Sequence, residues 1–150
     1  RNVIGIKEAG GDPLRTTRLR AACGEDFAVH AGDDALALPF YALGACGLTS
    51  VAANLAPREC IALHRAWSNG ERNLALDLHE RLAPLVDALF VETSPAPVKL
   101  ALSMLGLCEP CMRLPLVEPS PHAASIVAAT MSCFTGAAGG SDRPGRRISG

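Results

Sequence analysis

The sequence opens on a predicted β-strand, Asn2-Val3-Ile4-Gly5-Ile6-Lys7-Glu8. Its β-branched residues favour an extended backbone, and side chains alternate between the two faces of a strand. Lys7 therefore shares a face with Gly5, which leaves the lysine a confined space. Ile4 and Ile6 share the other face, and we expect them to pack against a covering helix.

A lysine in a confined site can act as a nucleophile. Burial disfavours the charged ammonium form, and a neutral amine can attack a carbonyl carbon to form a Schiff base. Most lysines, however, lie solvated on protein surfaces. A catalytic interpretation of Lys7 therefore depends on the segments that follow it.

Length and composition restrict the class of protein. A chain of 150 residues with 49% hydrophobic and 19% charged residues is typical of a globular protein with one core. A net charge of -1 gives no basic field for nucleic acid or an anionic membrane. The uncharged segment from Ala35 to Pro57 is interrupted by Pro39, Gly44 and Gly47, so it is not a membrane span. We expect a small molecule or a second copy of the chain as the partner.

The six cysteines show no framework spacing, which favours reduced, buried thiols in a cytoplasmic protein. Cys108-Glu109-Pro110-Cys111 lacks the second ligand pair of a structural zinc site. We therefore expect no metal and no cofactor. The chain begins at Arg1, directly before the first strand and without an initiator methionine, so we expect an N-terminal part to be missing.

The first half of the sequence alternates strands with helices. Further strands are predicted at Phe27–Ala31 and Gly47–Val51, and helices at 13–23, 35–43 and 58–68. Asp12 caps the first of these helices, and Asp33 or Asp34 the second. This order, with short connections, predicts parallel strands with helices packed outside them. No glycine-rich phosphate fingerprint is present, which favours part of a (β/α) barrel over a dinucleotide-binding fold.

The second half of the sequence is predicted to be helical. Leucines at spacings of three or four mark an amphipathic helix over 71–88, and further helices are expected at 97–105 and 123–133, with an extended segment at Leu114–Val117. From Thr135 onward Gly, Ser, Pro and Arg dominate, which is typical of disorder. The predicted division is therefore 1–70 for part of a barrel, 71–134 for a helical C-terminal domain and 135–150 for a disordered tail.

Short blocks between residue 2 and about residue 117 resemble, in order and spacing, the 4-hydroxy-tetrahydrodipicolinate synthase (dihydrodipicolinate synthase) family. The blocks are Asn2–Ala9, Gly32–Ala35, Gly47–Val51 with Asn54, His79–Leu82, Leu89–Glu92, Pro97–Lys99 and Arg113–Leu116. The Gly-Asp-Asp block favours the synthase over two related classes, the N-acetylneuraminate lyases and the 2-keto-3-deoxy sugar acid aldolases. These pyruvate-dependent lyases remain the alternative.

The resemblance implies an α/β fold, a partial TIM (β/α)₈ barrel of three β/α units followed by a helical C-terminal domain. It implies that Lys7 forms a Schiff base with pyruvate, and that the enamine derived from it attacks aspartate semialdehyde in lysine biosynthesis. Thr49 matches a position whose backbone carbonyl lines the pyruvate pocket, and Gly32 and Asp33 match its mouth. Family members are commonly homotetramers.

The sequence also departs from the family pattern. Thr49 stands where isoleucine or valine is common, and the segment 120–150 is unlike the charged helix that usually ends the chain. The half that precedes the Schiff-base strand in the family supplies paired threonines, a proton-relay tyrosine and an arginine, and no residue here aligns with them. We therefore expect an incomplete part of the synthase. The competing expectation is a catalytically inactive fragment, because three parallel strands leave two unpaired edges.

Overall fold

The computed structural model describes residues 2–138. A three-stranded sheet alternates with helices and is followed by further helices. The strands are β1 (Gly5–Glu8), β2 (Ala28–Ala31) and β3 (Gly47–Leu48). The helices are α1 (Leu14–Cys23), α2 (Ala37–Ala42), α3 (Pro57–Ser68), α4 (Arg72–Leu89), α5 (Ala96–Met104) and α6 (Pro121–Ala138). Short 3₁₀ helices at Asp34–Leu36 and Ala52–Asn54 precede α2 and α3.

The strands are parallel and lie in the order β1-β2-β3, as the alternation of strands and helices predicts. Lys7 of β1 lies opposite His30 of β2, which lies opposite Gly47 of β3. Side chains at such matched positions point to the same face of a parallel sheet. This row therefore places Lys7 and His30 on one face, with Gly47 beside His30. Within the described residues, β1 and β3 each pair with β2 alone.

Local sequence signals explain where the first helices begin. Asp12 accepts a hydrogen bond from the backbone N–H of Leu14 at 3.0 Å, which satisfies a free donor at the start of α1. Asp33 accepts one from Ala35 at 3.0 Å and caps the 3₁₀ turn before α2. Pro57 occupies the first position of α3, where its missing N–H costs nothing.

The hydrophobic core lies where α2, α3 and α4 pack against one another, with α5 and α6 on the far side of α4. Its largest fully buried apolar side chains are Phe40, Leu63, Leu85, Leu89, Val29 and Val127. Residues of the sheet and of α6 belong to the same core cluster. The division into a barrel part and a helical domain at about residue 70 stays a prediction.

The expectation that Ile4 and Ile6 pack against a helix is wrong. The two side chains are 78% and 38% exposed, and Lys7 is exposed as well. The cause is the position of β1 at the edge of the sheet, where it pairs with β2 alone, while α1 packs against β2. The confined space expected around Lys7 would need a further strand on the open side of β1.

Other predictions change in detail. The last helix continues to Ala138, past the expected start of the tail, and the rest of the predicted disordered segment, 139–150, lies outside the described residues. Leu114 and Pro115 form a turn, closed by a hydrogen bond from the N–H of Leu116 to the carbonyl of Arg113, instead of an extended segment. Of the six free cysteines only Cys60 is buried. Cys23 ends α1, Cys46, Cys108 and Cys111 lie outside helices and strands, and Cys133 lies on an exposed part of α6.

No helix among the described residues is both long enough and apolar enough to cross a bilayer.

Candidate active site

Lys7 lies near the carboxyl end of β1, on the face that β1 shares with His30 of β2. A shallow cavity of about 260 Å³ opens on this face. It is lined by Ile4, Gly5, Ile6, Lys7, Ala28, His30 and Thr49. The structure therefore brings together Lys7 and Thr49, the predicted nucleophile and the predicted pyruvate-binding residue, from two strands that do not pair with each other.

Gly32 lies directly beside the lysine side chain. A Cβ atom added at Gly32 would come within 3.0 Å of Lys7 Cε, 2.8 Å of the Glu8 carbonyl oxygen and 2.6 Å of Ala9 Cβ. The N–H of Gly32 donates to the same Glu8 carbonyl at 2.7 Å, which holds the two strand ends together. A larger residue at this position would collide first with Ala9 Cβ and the Glu8 carbonyl, and it would also crowd the Lys7 side chain.

Asp33, the other predicted residue of the pocket mouth, does not line the cavity of Lys7. Its carboxylate caps the turn that leads into α2. The structure thus supports the capping role and leaves the substrate-binding role of Asp33 a prediction.

Asp34 is a residue of the site that sequence reasoning missed. It is 5% exposed, and its carboxylate accepts hydrogen bonds from the Ser50 hydroxyl and from the N–H groups of Val51 at 2.8 Å and Ala52 at 3.4 Å. These residues directly follow Thr49. The signal in the sequence was the pair of adjacent aspartates at the start of one helix. A cap needs only one of them, so the other was free for a second role.

His30 is the second missed residue. Its Nδ1 lies 3.2 Å from the hydroxyl oxygen of Thr49. The ring lies over Gly47, where an added Cβ would approach Nε2 to 2.7 Å. The signal was the alternation of side chains in the second strand, which places His30 on the same face as Ala28.

The turn after β1 is held by a buried carboxylate. Glu8 is 3% exposed and accepts a hydrogen bond from the N–H of Gly10 at 2.7 Å. Its second oxygen pairs with Arg15 Nε of α1 at 3.0 Å. Because a buried carboxylate needs such partners, this arrangement fixes the backbone that immediately follows Lys7.

A second cavity, of about 400 Å³, lies beside the open edge of β3 and is lined in part by Tyr41, Cys60 and His64. The Tyr41 hydroxyl lies 3.2 Å from His64 Nδ1, and burial raises the pKa of Tyr41 to about 12. Burial also raises the pKa of the Cys60 thiol. Both groups are therefore neutral near pH 7, which disfavours a thiolate nucleophile here.

Within residues 2–138, no three His, Cys, Asp or Glu side chains are grouped so that they could hold a metal ion. Cys108 and Cys111 are exposed and free. The loop that carries them is attached to α5, because the Lys99 ammonium donates to the Cys111 carbonyl.

Comparison with protein families matches residues 1–133 to the dihydrodipicolinate synthetase family. The chain is 44% identical over 117 residues to the 4-hydroxy-tetrahydrodipicolinate synthase of Bradyrhizobium diazoefficiens, an alignment that covers 78% of this chain and 40% of the relative. It is 47% identical over 120 residues to the synthase of Methanothrix thermoacetophila, with 79% and 41% covered.

Solved structures give the same result. The 4-hydroxy-tetrahydrodipicolinate synthase of Methylacidiphilum fumariolicum SolV superposes with a TM-score of 0.85 at 44% identity, covering 90% of this chain and 45% of that one. The dihydrodipicolinate synthase of Aquifex aeolicus also gives a TM-score of 0.85, at 41% identity, with 89% and 46% covered. The chain spans less than half the length of the relatives it matches.

Proposed function

Because the chain belongs to the dihydrodipicolinate synthetase family, we propose that it provides the Schiff-base lysine and the helical C-terminal domain of a 4-hydroxy-tetrahydrodipicolinate synthase. Lys7 is the nucleophile, and pyruvate and aspartate semialdehyde are the substrates. The enzyme is a lyase of lysine biosynthesis. We expect it to be cytoplasmic and to work as a homo-oligomer.

The juxtaposition of Lys7 and Thr49 in one cavity supports this proposal most directly. The cavity runs along β1 from Ile4 to Lys7. Lys7 and Thr49 lie toward the carboxyl ends of the parallel strands, the side on which β/α proteins build their sites. Gly32 leaves room for the lysine side chain. Lys7 itself is exposed at this edge of the sheet, and its confinement requires a further strand beside β1.

The proposed reaction begins with attack of the neutral Lys7 amine on the keto carbon of pyruvate. Loss of water from the carbinolamine gives an imine, which withdraws electrons so that the pyruvate methyl group can lose a proton. The resulting enamine carbon forms a bond to the aldehyde carbon of aspartate semialdehyde, whose oxygen takes up a proton. The amino group of that substrate then displaces the lysine, which closes the ring and regenerates the free amine.

The remaining site residues have distinct proposed roles. The backbone carbonyl of Thr49 faces pyruvate, while Gly32 and Asp33 border the entrance of the aldehyde. The open edges of β1 and β3 and the exposed face of Ile4 and Ile6 favour completion of the sheet by further strands. In that closed barrel, the further strands would supply the groups that bind the pyruvate carboxylate and relay protons.

Borohydride trapping tests the proposal. The chain is incubated with pyruvate and borohydride, alone and joined behind the N-terminal part of the Bradyrhizobium diazoefficiens relative, and the adduct is located by mass spectrometry. Lys7 and Lys99 are the two lysines of the sequence, so they form a matched pair. We expect a reduced pyruvate adduct on Lys7 in the joined protein, retained in Lys99→Arg and absent from Lys7→Arg.

An adduct on Lys99, or none in a joined protein whose circular dichroism shows it folded, would overturn the proposal. Consumption of aspartate semialdehyde then separates the synthase from the lyases that take sugar aldehydes. An adduct on Lys7 without that consumption would favour the related aldolases.

A further inference from the structure

We propose that His30 is a positioning residue for pyruvate binding, acting through its hydrogen bond to Thr49. This inference rests on the proposed function, and it adds to the site a residue that the family resemblance does not indicate. Three features of the molecule support this role: the position of His30 in the sheet, the space that Gly47 leaves for its ring, and its hydrogen bond to Thr49.

The position of His30 follows from the strand register. His30 lies between Lys7 and Gly47 in one row across the sheet, so its side chain leaves β2 on the face that carries the lysine. It is half-buried and lines the same cavity as Lys7 and Thr49. A ring in this position forms part of the cavity wall.

Gly47 makes the observed ring position possible. An added Cβ at this residue would lie 2.7 Å from Nε2, 2.8 Å from Cε1 and 3.0 Å from Cδ2 of His30. Contacts this short with three ring atoms mean that the imidazole occupies the volume of the missing side chain. The ring therefore has little freedom to move toward β3.

The packed ring presents Nδ1 to Thr49, at 3.2 Å from its hydroxyl oxygen. The backbone N–H of Thr49 is held separately, by the Ala31 carbonyl at 2.8 Å. Thr49 is thus fixed through both its backbone and its side chain. A β-branched residue has few side-chain rotamers, so fixing its hydroxyl also restricts the backbone whose carbonyl faces pyruvate.

The alternative is a purely structural contact, and it predicts a different result. A structural bond would change the fraction of folded protein, whereas a positioning bond changes the affinity for pyruvate. Borohydride trapping separates the two, because the amount of adduct at saturating pyruvate reports competent protein. The pyruvate concentration that gives half of this amount reports binding.

The test uses whichever preparation of the trapping experiment carries the Lys7 adduct. We expect His30→Leu and Thr49→Val each to raise the half-saturating pyruvate concentration about fivefold, the equivalent of one hydrogen bond. Because each single change leaves one polar partner unpaired, the double variant is expected to lose no more than either single one. The amount of adduct formed at saturating pyruvate should change little.

Two conservative variants complete the test. The amide of His30→Asn can occupy the place of Nδ1, and Thr49→Ser keeps the hydroxyl. If the single hydrogen bond carries the effect, the half-saturating pyruvate concentration of both variants should stay within about twofold of the parent value. Should His30→Leu fail to fold, the Thr49→Val and Thr49→Ser pair carries the comparison. Unchanged half-saturation in the single variants, or losses that multiply in the double variant, would overturn the inference. Absence of any Lys7 adduct in the parent protein overturns the proposed function and this inference together.

Discussion

Replacing Asp34 by alanine should destabilise the chain more than any change at the neighbouring Asp33. The Asp34 carboxylate is buried and receives three hydrogen bonds from the loop that follows Thr49. Its removal leaves these donors without their acceptor in a partly buried site. The bonds span 16 to 18 residues of sequence, so their loss also frees the loop after β3 from the 3₁₀ turn before α2.

The expected magnitude follows from the three bonds. A hydrogen bond to a charged group contributes about 1.5–3 kcal/mol. The Val51 N–H donates at 2.8 Å, an ordinary distance for such a bond, and the Ser50 hydroxyl is a second donor to the same carboxylate. The bond from Ala52, at 3.4 Å, contributes less. The desolvation cost of the carboxylate is relieved in the variant and offsets part of the sum. We therefore expect Asp34→Ala to lower the free energy of unfolding by about 4 kcal/mol.

Two further variants sharpen the measurement. Asp34→Asn keeps one acceptor oxygen but turns an NH₂ group toward the remaining donors, so about half of the loss is expected. Asp33→Asn is the matched control, because asparagine caps a helix about as well as aspartate, and its effect should stay within about 0.5 kcal/mol.

Urea unfolding followed by circular dichroism measures all three variants. With a denaturant dependence of about 2 kcal/mol per molar, a loss of about 4 kcal/mol lowers the midpoint by about 2 M urea. If the Asp34→Ala midpoint falls no further than that of Asp33→Asn, the three bonds do not stabilise the contact between the 3₁₀ turn before α2 and the loop after β3.

The other predictions concern packing, capping and titration. Tyr41, the one tyrosine of the sequence, should titrate near pH 12 by ultraviolet absorbance. An unfolded tyrosine loses its proton near pH 10, whereas folded Tyr41 keeps it. The free energy of unfolding should therefore fall by up to about 1.4 kcal/mol per pH unit as the pH rises from about 10 to 12. The same fall in Tyr41→Phe would contradict this prediction. In urea unfolding, Leu85→Ala should lower the free energy of unfolding by about 2–5 kcal/mol. Leu74→Ala, at a half-exposed site, should change it by no more than about 0.5 kcal/mol. Equal losses would refute the assigned core. The Ser120 hydroxyl accepts from the N–H of Ala123 at 3.2 Å. By the same measurement, Ser120→Ala should lower the free energy of unfolding by about 1 kcal/mol, and Ser120→Asn, which also caps and adds no charge beside Glu92, by much less.

The sequence could predict the features that depend on near neighbours in the chain. The alternation of strands and helices, the parallel sheet and the caps at Asp12 and Asp33 follow from periodicities and residue types within a few positions. The family resemblance also indicated Lys7 and Thr49, and both residues line one cavity in the structure. Their roles stay predictions.

The sequence could not predict the features that depend on distant partners. The exposure of Ile4 and Ile6 is decided by which elements flank β1, and no residue within the strand reports that. The contact between His30 and Thr49 joins residues 19 positions apart, and it exists only because the register places Gly47 beside the imidazole ring. Alternation in the second strand could have indicated the face of His30, but its partner depends on the register between β2 and β3.

These long-range contacts share one origin in the sequence. His30, Gly32 and Asp34 follow one another at alternate positions in and after β2, and each touches a neighbouring strand or its loop. His30 is within hydrogen-bond distance of Thr49, and Gly32 lies against Lys7. Asp34 accepts hydrogen bonds from the loop after Thr49. Since β2 lies between the strands that carry the proposed nucleophile and the proposed pyruvate-binding residue, its carboxyl end sets the separation of the two. Changes in this five-residue segment should therefore alter pyruvate binding, while comparable changes in α5 or α6 should alter only the stability of the fold.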